Sequence, residues 1–386
     1  MSPRLLLSCG EASGDLYAGA LTRELLALSP SLSIAGLGGP QFAAAGGRLV
    51  ADYRELSVTG LTEWIPKLPR LLAARRRLVA SARAVRPVAL VLFDFSGFNF
   101  RLAPAIKRLG VPVIYYISPQ IWASRAGRLD TIRAIADRVL VIFPFEAAIY
   151  EQGGVPVEFV GHPLIDLATP AATRERFLAD RGLTPSAPTV AILPGSRANE
   201  VSRILPDLAA AARLIRRAVP HAQFLVARAP HLDGALFDAV RGGSDPAFTM
   251  VEGDTDTVLA SADVALTASG TATVQAALHD TPMVIVYRMA PLSYRLAKRI
   301  VRLDTIGMVN LIAGETIVPE LVQDAFTPDA VAREAISMLT DRARSARIRA
   351  GLATVRLRLG GPGASRRAAQ AILRVASRRP AGTAAR

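Results

Sequence analysis

Leu193-Pro194-Gly195-Ser196-Arg197-Ala198-Asn199-Glu200 lies near the middle of the chain, after the apolar run Thr189-Val190-Ala191-Ile192 and before Val201-Ser202-Arg203-Ile204-Leu205. An apolar run that passes through Pro-Gly into helical spacing reads as a strand turning sharply into a helix. Such a turn suits an anion. Gly195 lets backbone approach a ligand, the first N–H groups of the new helix are expected to point outward unpaired, and Arg197 adds a planar fork of donors that fits phosphate oxygens. A plain turn with Ser196 as N-cap and Arg197 in solvent accounts for the same residues, and the stretch alone does not choose between the two.

The same strand-turn-helix pattern recurs on both sides of this stretch. Toward the N-terminus, the expected strands are Arg4–Cys9, Leu32–Leu37, Val88–Phe93, Val111–Ile117, Arg138–Phe143 and Val157–Val160. Toward the C-terminus they are Thr189–Leu193, Gln223–Ala227, Phe248–Val251, Val264–Thr267 and Met283–Tyr287. Continuous apolar strands alternating with helices mean parallel sheets covered on both faces, whose ligands bind beyond the carboxyl ends of the strands. Gly161-His162-Pro163-Leu164 reads as a crossing between two halves. The expected domains are therefore 1–165 and 166–345, two Rossmann-like α/β units facing a cleft. A helical, arginine-rich segment, 346–386, is expected to cross back to the first domain.

Composition narrows the function. A chain of 386 residues exceeds what one core usually supports, and its 51% hydrophobic residues exclude a disordered protein. The single cysteine, Cys9, removes any disulfide framework or cysteine metal cluster, and His162, His221, His231 and His279 show no metal-ligand spacing. The 46 Lys and Arg against 32 Asp and Glu, a net charge of +14, point to phosphorylated or anionic-lipid partners. Nucleic acid is set aside, because only 6% of residues are aromatic and neither a helix-turn-helix pattern nor an RNA-binding signature appears. No apolar run has the length of a membrane span, and the sequence carries no recognisable signal peptide.

Several residues stand where chemistry is expected. Asp94 follows a fully apolar strand beside Ser96 and Gly97, where a partly desolvated carboxylate would suit a general base, or would cap a helix beginning near Phe98. Glu11 and Asp15, in the loop Gly10-Glu11-Ala12-Ser13-Gly14-Asp15, are weaker candidates of the same kind. Ala268-Ser269-Gly270-Thr271-Ala272-Thr273 repeats the small-residue strand-to-helix turn and suits a diphosphate, or ordinary capping. Asp254-Thr255-Asp256 has the form of a divalent-metal motif but sits in capping position, and no metal is assigned. Leu61–Val85 combines Trp64, Ile65, Leu68, Leu71, Leu72, Leu78 and Val79 with Lys67, Arg70, Arg75, Arg76, Arg77 and Arg83. This is the pattern of an interfacial membrane helix or of a basic surface helix packed on the sheet.

Together the motifs resemble the lipid-A-disaccharide synthase family through most of the chain. The residues that carry the resemblance are Gly10–Asp15, Ser118-Pro119-Gln120-Ile121-Trp122-Ala123, Gly161-His162-Pro163, Leu193–Arg197 with Glu200, Ala268–Ala272, Tyr287-Arg288-Met289, and Asn310–Gly314 with Pro319-Glu320-Leu321. The resemblance implies a B-type glycosyltransferase fold and an inverting, metal-independent, cofactor-free transfer from UDP-2,3-diacylglucosamine to 2,3-diacylglucosamine 1-phosphate. It gives Asp94, Arg197, Glu11 and Asn310 catalytic roles. The nucleotide side takes Gly195, Ser196, Arg197, Glu200, Ser269, Gly270, Thr271, Thr273, Gln275, Arg288 and Glu320. The acceptor and lipid side takes Ser13, Ser118, Pro119, Gln120 and Trp122, and Trp64, Ile65, Leu68, Arg75 and Arg76 would meet a membrane. Acylated glucosamines and the inner-leaflet surface are the implied partners, in a cytoplasmic protein peripheral on the inner membrane; oligomeric state stays open. Another UDP-sugar transferase or epimerase of the same fold is the alternative. Three positions depart from the family pattern: Ser96-Gly97 replaces a usual Pro-Asp, Gln275 a usual glutamate, and Ser124 a usual tryptophan.

Overall fold

The computed structural model describes residues 3–56, 64–119, 127–240, 246–289 and 305–377, and, within the helix Trp64–Val85, side chains from residue 68 onward. The chain divides into two compact units, Met1–Pro163 with Leu359–Arg386, and Leu164–Arg358.

The first unit holds seven strands: β1 (Arg4–Ser8), β2 (Ser33–Gly38), β3 (Arg48–Asp52), β4 (Ala89–Leu92), β5 (Val113–Tyr116), β6 (Arg138–Val141) and β7 (Val157–Phe159). They form one parallel sheet in the order β3-β2-β1-β4-β5-β6-β7. Its helices are α1 (Ala12–Leu28), α2 (Pro40–Ala44), α3 (Trp64–Val85), α4 (Ser96–Lys107), α5 (Gly127–Ile135) and α6 (Pro144–Gln152). Strands β4 and β5 are buried along their whole length, as strands covered on both faces must be. Leu71, Ala74, Leu78 and Ala82 of α3 join the core with Leu102 and Ile106 of α4. Strand β3 was not among the expected strands. It sits at the sheet edge with Arg48 and Leu49 exposed, so it lacks the continuous apolar run that marks its neighbours.

The second unit holds β8 (Thr189–Leu193), β9 (Gln223–Arg228), β10 (Phe248–Glu252), β11 (Val264–Ala268), β12 (Met283–Tyr287) and β13 (Glu320–Val322), again parallel, in the order β10-β9-β8-β11-β12-β13. Helices α7 (Leu164–Leu167) and α8 (Arg174–Ala179) precede these strands, α9 (Ala198–Ala218), α10 (Thr255–Ala260), α11 (Thr271–Leu278) and the helix Met308–Ala313 run between them, and helices Pro328–Thr340 and Arg342–Arg358 follow. In α9 the buried residues Val201, Ile204, Leu205, Leu208, Ala212 and Ile215 make one apolar stripe of helical period. Residue 346 falls inside the helix Arg342–Arg358, which stays with the second unit. From Leu359 the chain belongs to the first, where helix Ala364–Ser377 packs on α1 and Arg367 Nε donates to Val160 O at 2.9 Å.

Each sheet reverses its strand order once beside its first strand. In the first unit this happens between β1 and β4, which pair from Leu5–Ala89 to Ser8–Leu92; in the second it happens between β8 and β11, which pair from Val264–Val190 to Thr267–Leu193. Loops leaving two such carboxyl ends diverge to opposite faces, and open parallel sheets bind ligands there. Asp94 follows β4 at the first of these places, and the turns at Gly195–Arg197 and Ser269–Thr271 follow β8 and β11 at the second.

Candidate active site

Asp94 leaves β4 at the first switch point. It is exposed, and both Asp94 (φ 30°) and Phe95 (φ 44°) adopt the left-handed conformation that side chains with a Cβ rarely take. The turn is held from beneath. Asn99 Nδ2 donates to Phe93 O at 3.0 Å and to Asp94 O at 2.8 Å, Tyr115 Oη donates to Asp94 O at 2.7 Å, and Asp94 N donates to Ile117 O at 2.9 Å. Phe95, not Asp94, is the residue preceding α4, so Asp94 does not cap that helix. The expected partial desolvation of Asp94 is corrected by its exposure: the kinked turn lifts the carboxylate off the sheet instead of burying it. Burial first, and the Asp94 charge second, hold the Tyr115 hydroxyl well above its ordinary pKa, which keeps it a proton donor.

The Gly10 loop abuts the same turn. A Cβ at Gly10 would lie 2.1 Å from Phe95 Cγ, so glycine is what lets the β1 and β4 loops touch. Exposed Glu11 precedes α1 and half-buried Ser13 lies in its first turn. Asp15 is structural: at 2% exposure its carboxylate accepts from Gly39 N at 2.7 Å, Gln41 N at 2.9 Å and Phe42 N at 3.1 Å, capping α2. Ser118 and Pro119, expected on the acceptor side, are buried at the end of β5, and Ser118 Oγ accepts from Tyr150 Oη at 2.8 Å. Gln120 and Trp122 lie outside the described residues, as do the side chains of Trp64 and Ile65.

At the second switch point the opening stretch forms the strand-turn-helix read from sequence, with one correction. The N–H groups of Ser196 and Arg197 are not unpaired. They donate to Glu200 Oε2 at 3.1 and 3.3 Å, and Arg197 Nη1 pairs with Glu200 Oε1 at 3.3 Å. A glutamate three residues into a helix reaches back to its start, and here it fills the place of an anion. Gly195 has φ 125° and a Cβ there would meet Glu200 Oε2 at 2.6 Å, so the turn requires glycine. The Arg197 side chain remains 45% exposed. His231 Nε2 lies 3.0 Å from Ser196 O, a contact from the loop after β9 that the sequence did not suggest.

The neighbouring loop leaves β11 with Gly270 and Thr271 exposed and Ser269 half-buried, its Oγ donating to Ile306 O at 3.2 Å. Ile306 is in turn fixed by Glu320, whose Oε2 accepts from Ile306 N at 2.7 Å and whose Oε1 accepts from Gly307 N at 3.1 Å and Asn310 Nδ2 at 2.7 Å. Asn310 is 2% exposed; its amide also donates to Val318 O at 2.9 Å and accepts from Ile317 N at 2.9 Å and Val318 N at 3.1 Å. Asn310, expected to be catalytic, and Glu320, expected at the nucleotide, thus each have partners within the fold. With their polar atoms engaged inside the fold, both hold the 306–307 backbone against Ser269.

Three further nucleotide candidates are also engaged internally. Thr273 is fully buried and donates to Gly270 O at 2.8 Å. Gln275 Nε2 donates to Asp256 Oδ1 at 3.1 Å, and His279 Nε2 lies 2.8 Å from the same oxygen. Arg288, half-exposed, is paired with Asp207 of α9, donates to Phe326 O and lies over the Phe326 ring. Asp254 accepts from Thr257 N at 3.2 Å and caps α10, so the Asp-x-Asp pair has structural partners at both carboxylates. No metal-ligand cluster occurs among the described residues.

Beside its buried stripe α3 shows Leu68 and Leu72, 42% and 41% exposed, with Arg70, Arg76 and Arg77 also exposed. Arg75, expected at a membrane, turns its Nε to Arg101 O at 2.9 Å. No helix among the described residues is long and apolar enough to cross a membrane. The residues that sequence reading missed, Asn99, Tyr115 and His231, act through buried or backbone contacts. Asn99 alone left a signal, as a polar residue on the stripe Asn99-Leu102-Ala103-Ile106 that α4 buries.

Known structures share this architecture. The chain resembles UDP-GlcNAc 2-epimerase from Neisseria meningitidis bound to UDP-GlcNAc, with a TM-score of 0.69 at 11% identity over 96% of this chain and 100% of that one. It resembles the calicheamicin glycosyltransferase with a TM-score of 0.61 at 18% identity over 98% and 99%. The two parallel α/β sheets and these neighbours define the B-type glycosyltransferase fold. The sequence model of the lipid-A-disaccharide synthetase family matches residues 5–375. The chain is 43% identical to the lipid-A-disaccharide synthase of Anaeromyxobacter dehalogenans (strain 2CP-C) over 380 residues, 97% of this chain and 99% of the relative. To that of Syntrophus aciditrophicus (strain SB) it is 41% identical over 369 residues, 95% and 96%. The chain belongs to the lipid-A-disaccharide synthetase family and is a hexosyltransferase of lipid A disaccharide synthesis.

Proposed function

We propose that this hexosyltransferase joins UDP-2,3-diacylglucosamine to 2,3-diacylglucosamine 1-phosphate, giving the β(1→6) tetraacyl disaccharide 1-phosphate and UDP. Asp94 takes the proton of the acceptor 6-hydroxyl as its oxygen attacks the anomeric carbon. The bond from that carbon to the diphosphate breaks, and its electron pair leaves on UDP. Arg197 and the exposed Gly270–Thr271 helix start offset the charge on the departing diphosphate without a metal. The observation that supports this reading best is placement: Asp94 and Arg197 each stand at the switch point of a parallel sheet, where such folds bind substrate.

The exposed leucines and arginines of α3 fit docking on an anionic bilayer from the cytoplasmic side, where the acylated substrates reside. A transfer assay with purified protein tests the reading. Diacylated UDP-glucosamine should turn over in the presence of EDTA, and unacylated donor should not. Equal turnover of both donors overturns the substrate assignment, and loss of activity in EDTA overturns the metal-free one.

A further inference from the structure

Asp94 and Phe95 are consecutive non-glycine residues with positive φ, a conformation that persists only where surrounding contacts impose it. The contacts converge on one side chain. Asn99 is fully buried, and its amide nitrogen ties together the two carbonyls on either side of the kink, Phe93 O and Asp94 O. Its amide oxygen accepts from Ser8 Oγ at 2.7 Å, at the end of the neighbouring strand β1. The two carbonyls fix which way the amide faces: only its nitrogen can donate to them, which leaves its oxygen to the Ser8 hydroxyl. Tyr115 Oη, from β5 on the other side, adds a second donor to Asp94 O.

Building on the role of Asp94 as base, we propose that Asn99 is the positioning residue of this transfer, with Ser8 and Tyr115 as its supports. The three clamp the Asp94 backbone from β1, α4 and β5, so that the carboxylate projects from the sheet in one direction. Without the clamp the turn relaxes toward ordinary negative φ and the carboxylate swings away from the acceptor hydroxyl. The fold survives such a change while the chemical step suffers, because displacement of a reacting group by about 1 Å can cost on the order of 100-fold in rate.

Asn99→Ala tests the idea, read against Leu102→Ala one turn farther along the same buried stripe. Leu102 is fully buried and should destabilise at least as much on truncation, but makes no bond to the kink. Asn99→Ala should lower kcat by about 10- to 100-fold with the KM for donor within about 3-fold, whereas Leu102→Ala should keep kcat within about 2-fold at a temperature where both are folded. Should Asn99→Ala fail to fold, Ser8→Ala and Tyr115→Phe each remove one support and should lower kcat by about 3- to 10-fold, again at constant KM. Equal kcat losses in the Asn99 and Leu102 variants overturn the proposal, as does unchanged kcat in the Asn99 variant or, where that variant does not fold, in both support variants. An Asp94→Asn protein with near-normal turnover sinks the base assignment instead, which keeps the two failures apart.

Discussion

At the β1/β4 switch point the turn that carries Asp94 is held by neutral groups, the amide of Asn99 and the hydroxyls of Tyr115 and Ser8. At the β8/β11 switch point the loops are held by carboxylates, Glu200 on the N–H groups of Ser196 and Arg197 and Glu320 on those of Ile306 and Gly307. The difference fits the roles proposed for the two places. At the first place the donors meet the backbone of the proposed base and leave its carboxylate to the substrate side. Loops that receive a diphosphate carry converging N–H groups and an arginine. Here Glu200 sets a carboxylate beside Arg197, the residue proposed to meet the diphosphate.

The largest expected effect comes from the neutral side. Asp94→Asn keeps the side-chain shape and removes the base, so turnover should fall by about 100- to 10,000-fold in the transfer assay. Appreciable residual transfer would falsify the assignment. Arg197→Ala, on the charged side, should lower kcat by about 100- to 1,000-fold, and Arg197→Lys should recover little of it because a point charge cannot reproduce the planar fork.

Glu320→Gln tests whether the carboxylate scaffold matters as a scaffold. It leaves the donors of Ile306, Gly307 and Asn310 to share a neutral acceptor, and should cost about 1–3 kcal/mol in denaturant unfolding together with weakened donor binding. A variant that loses turnover with unchanged stability would return Glu320 to direct ligand contact. Changing exposed Leu68 and Leu72 to serine should reduce flotation on phosphatidylglycerol vesicles by about 10-fold while the protein stays folded; unchanged flotation removes α3 from the membrane reading.

The smallest effect is on stability. Burial lowers the pKa of His162 from 6.5 to about 3, so the folded protein holds it neutral. The unfolded chain takes up the proton below 6.5, so this contribution to stability is complete above that pH and is lost as pH falls toward 3. Its slope approaches about 1.4 kcal/mol per pH unit. His162→Gln should flatten that slope in denaturant titrations between pH 6.5 and 4.5; an unaltered slope removes His162 as its source.

The sequence made strands β4, β8 and β11 plain, because fully buried parallel strands are written as unbroken apolar runs. It hid β3 and β13, edge strands with half-exposed residues, and it could not state strand order, which depends on pairings between distant segments. The turns at Asp94, Gly195 and Ser269 were legible from their position after such runs. Side-chain direction was not. Asn310, Glu320, Thr273 and Arg288 have the chemistry of ligand contacts, and the fold gives each of them intramolecular partners that the sequence could not name. Asn99 was overlooked for the converse reason, since a buried polar residue in an apolar stripe looks like a helix face and reveals its work only when the carbonyls above it are known.

The most direct test of this division of labour is UDP titration of two variants side by side, by calorimetry. Asp94→Asn should bind UDP within about 2-fold of the unaltered protein, and Arg197→Ala should bind it at least about 10-fold more weakly. Equal weakening in both, or undiminished binding by Arg197→Ala, would contradict the account.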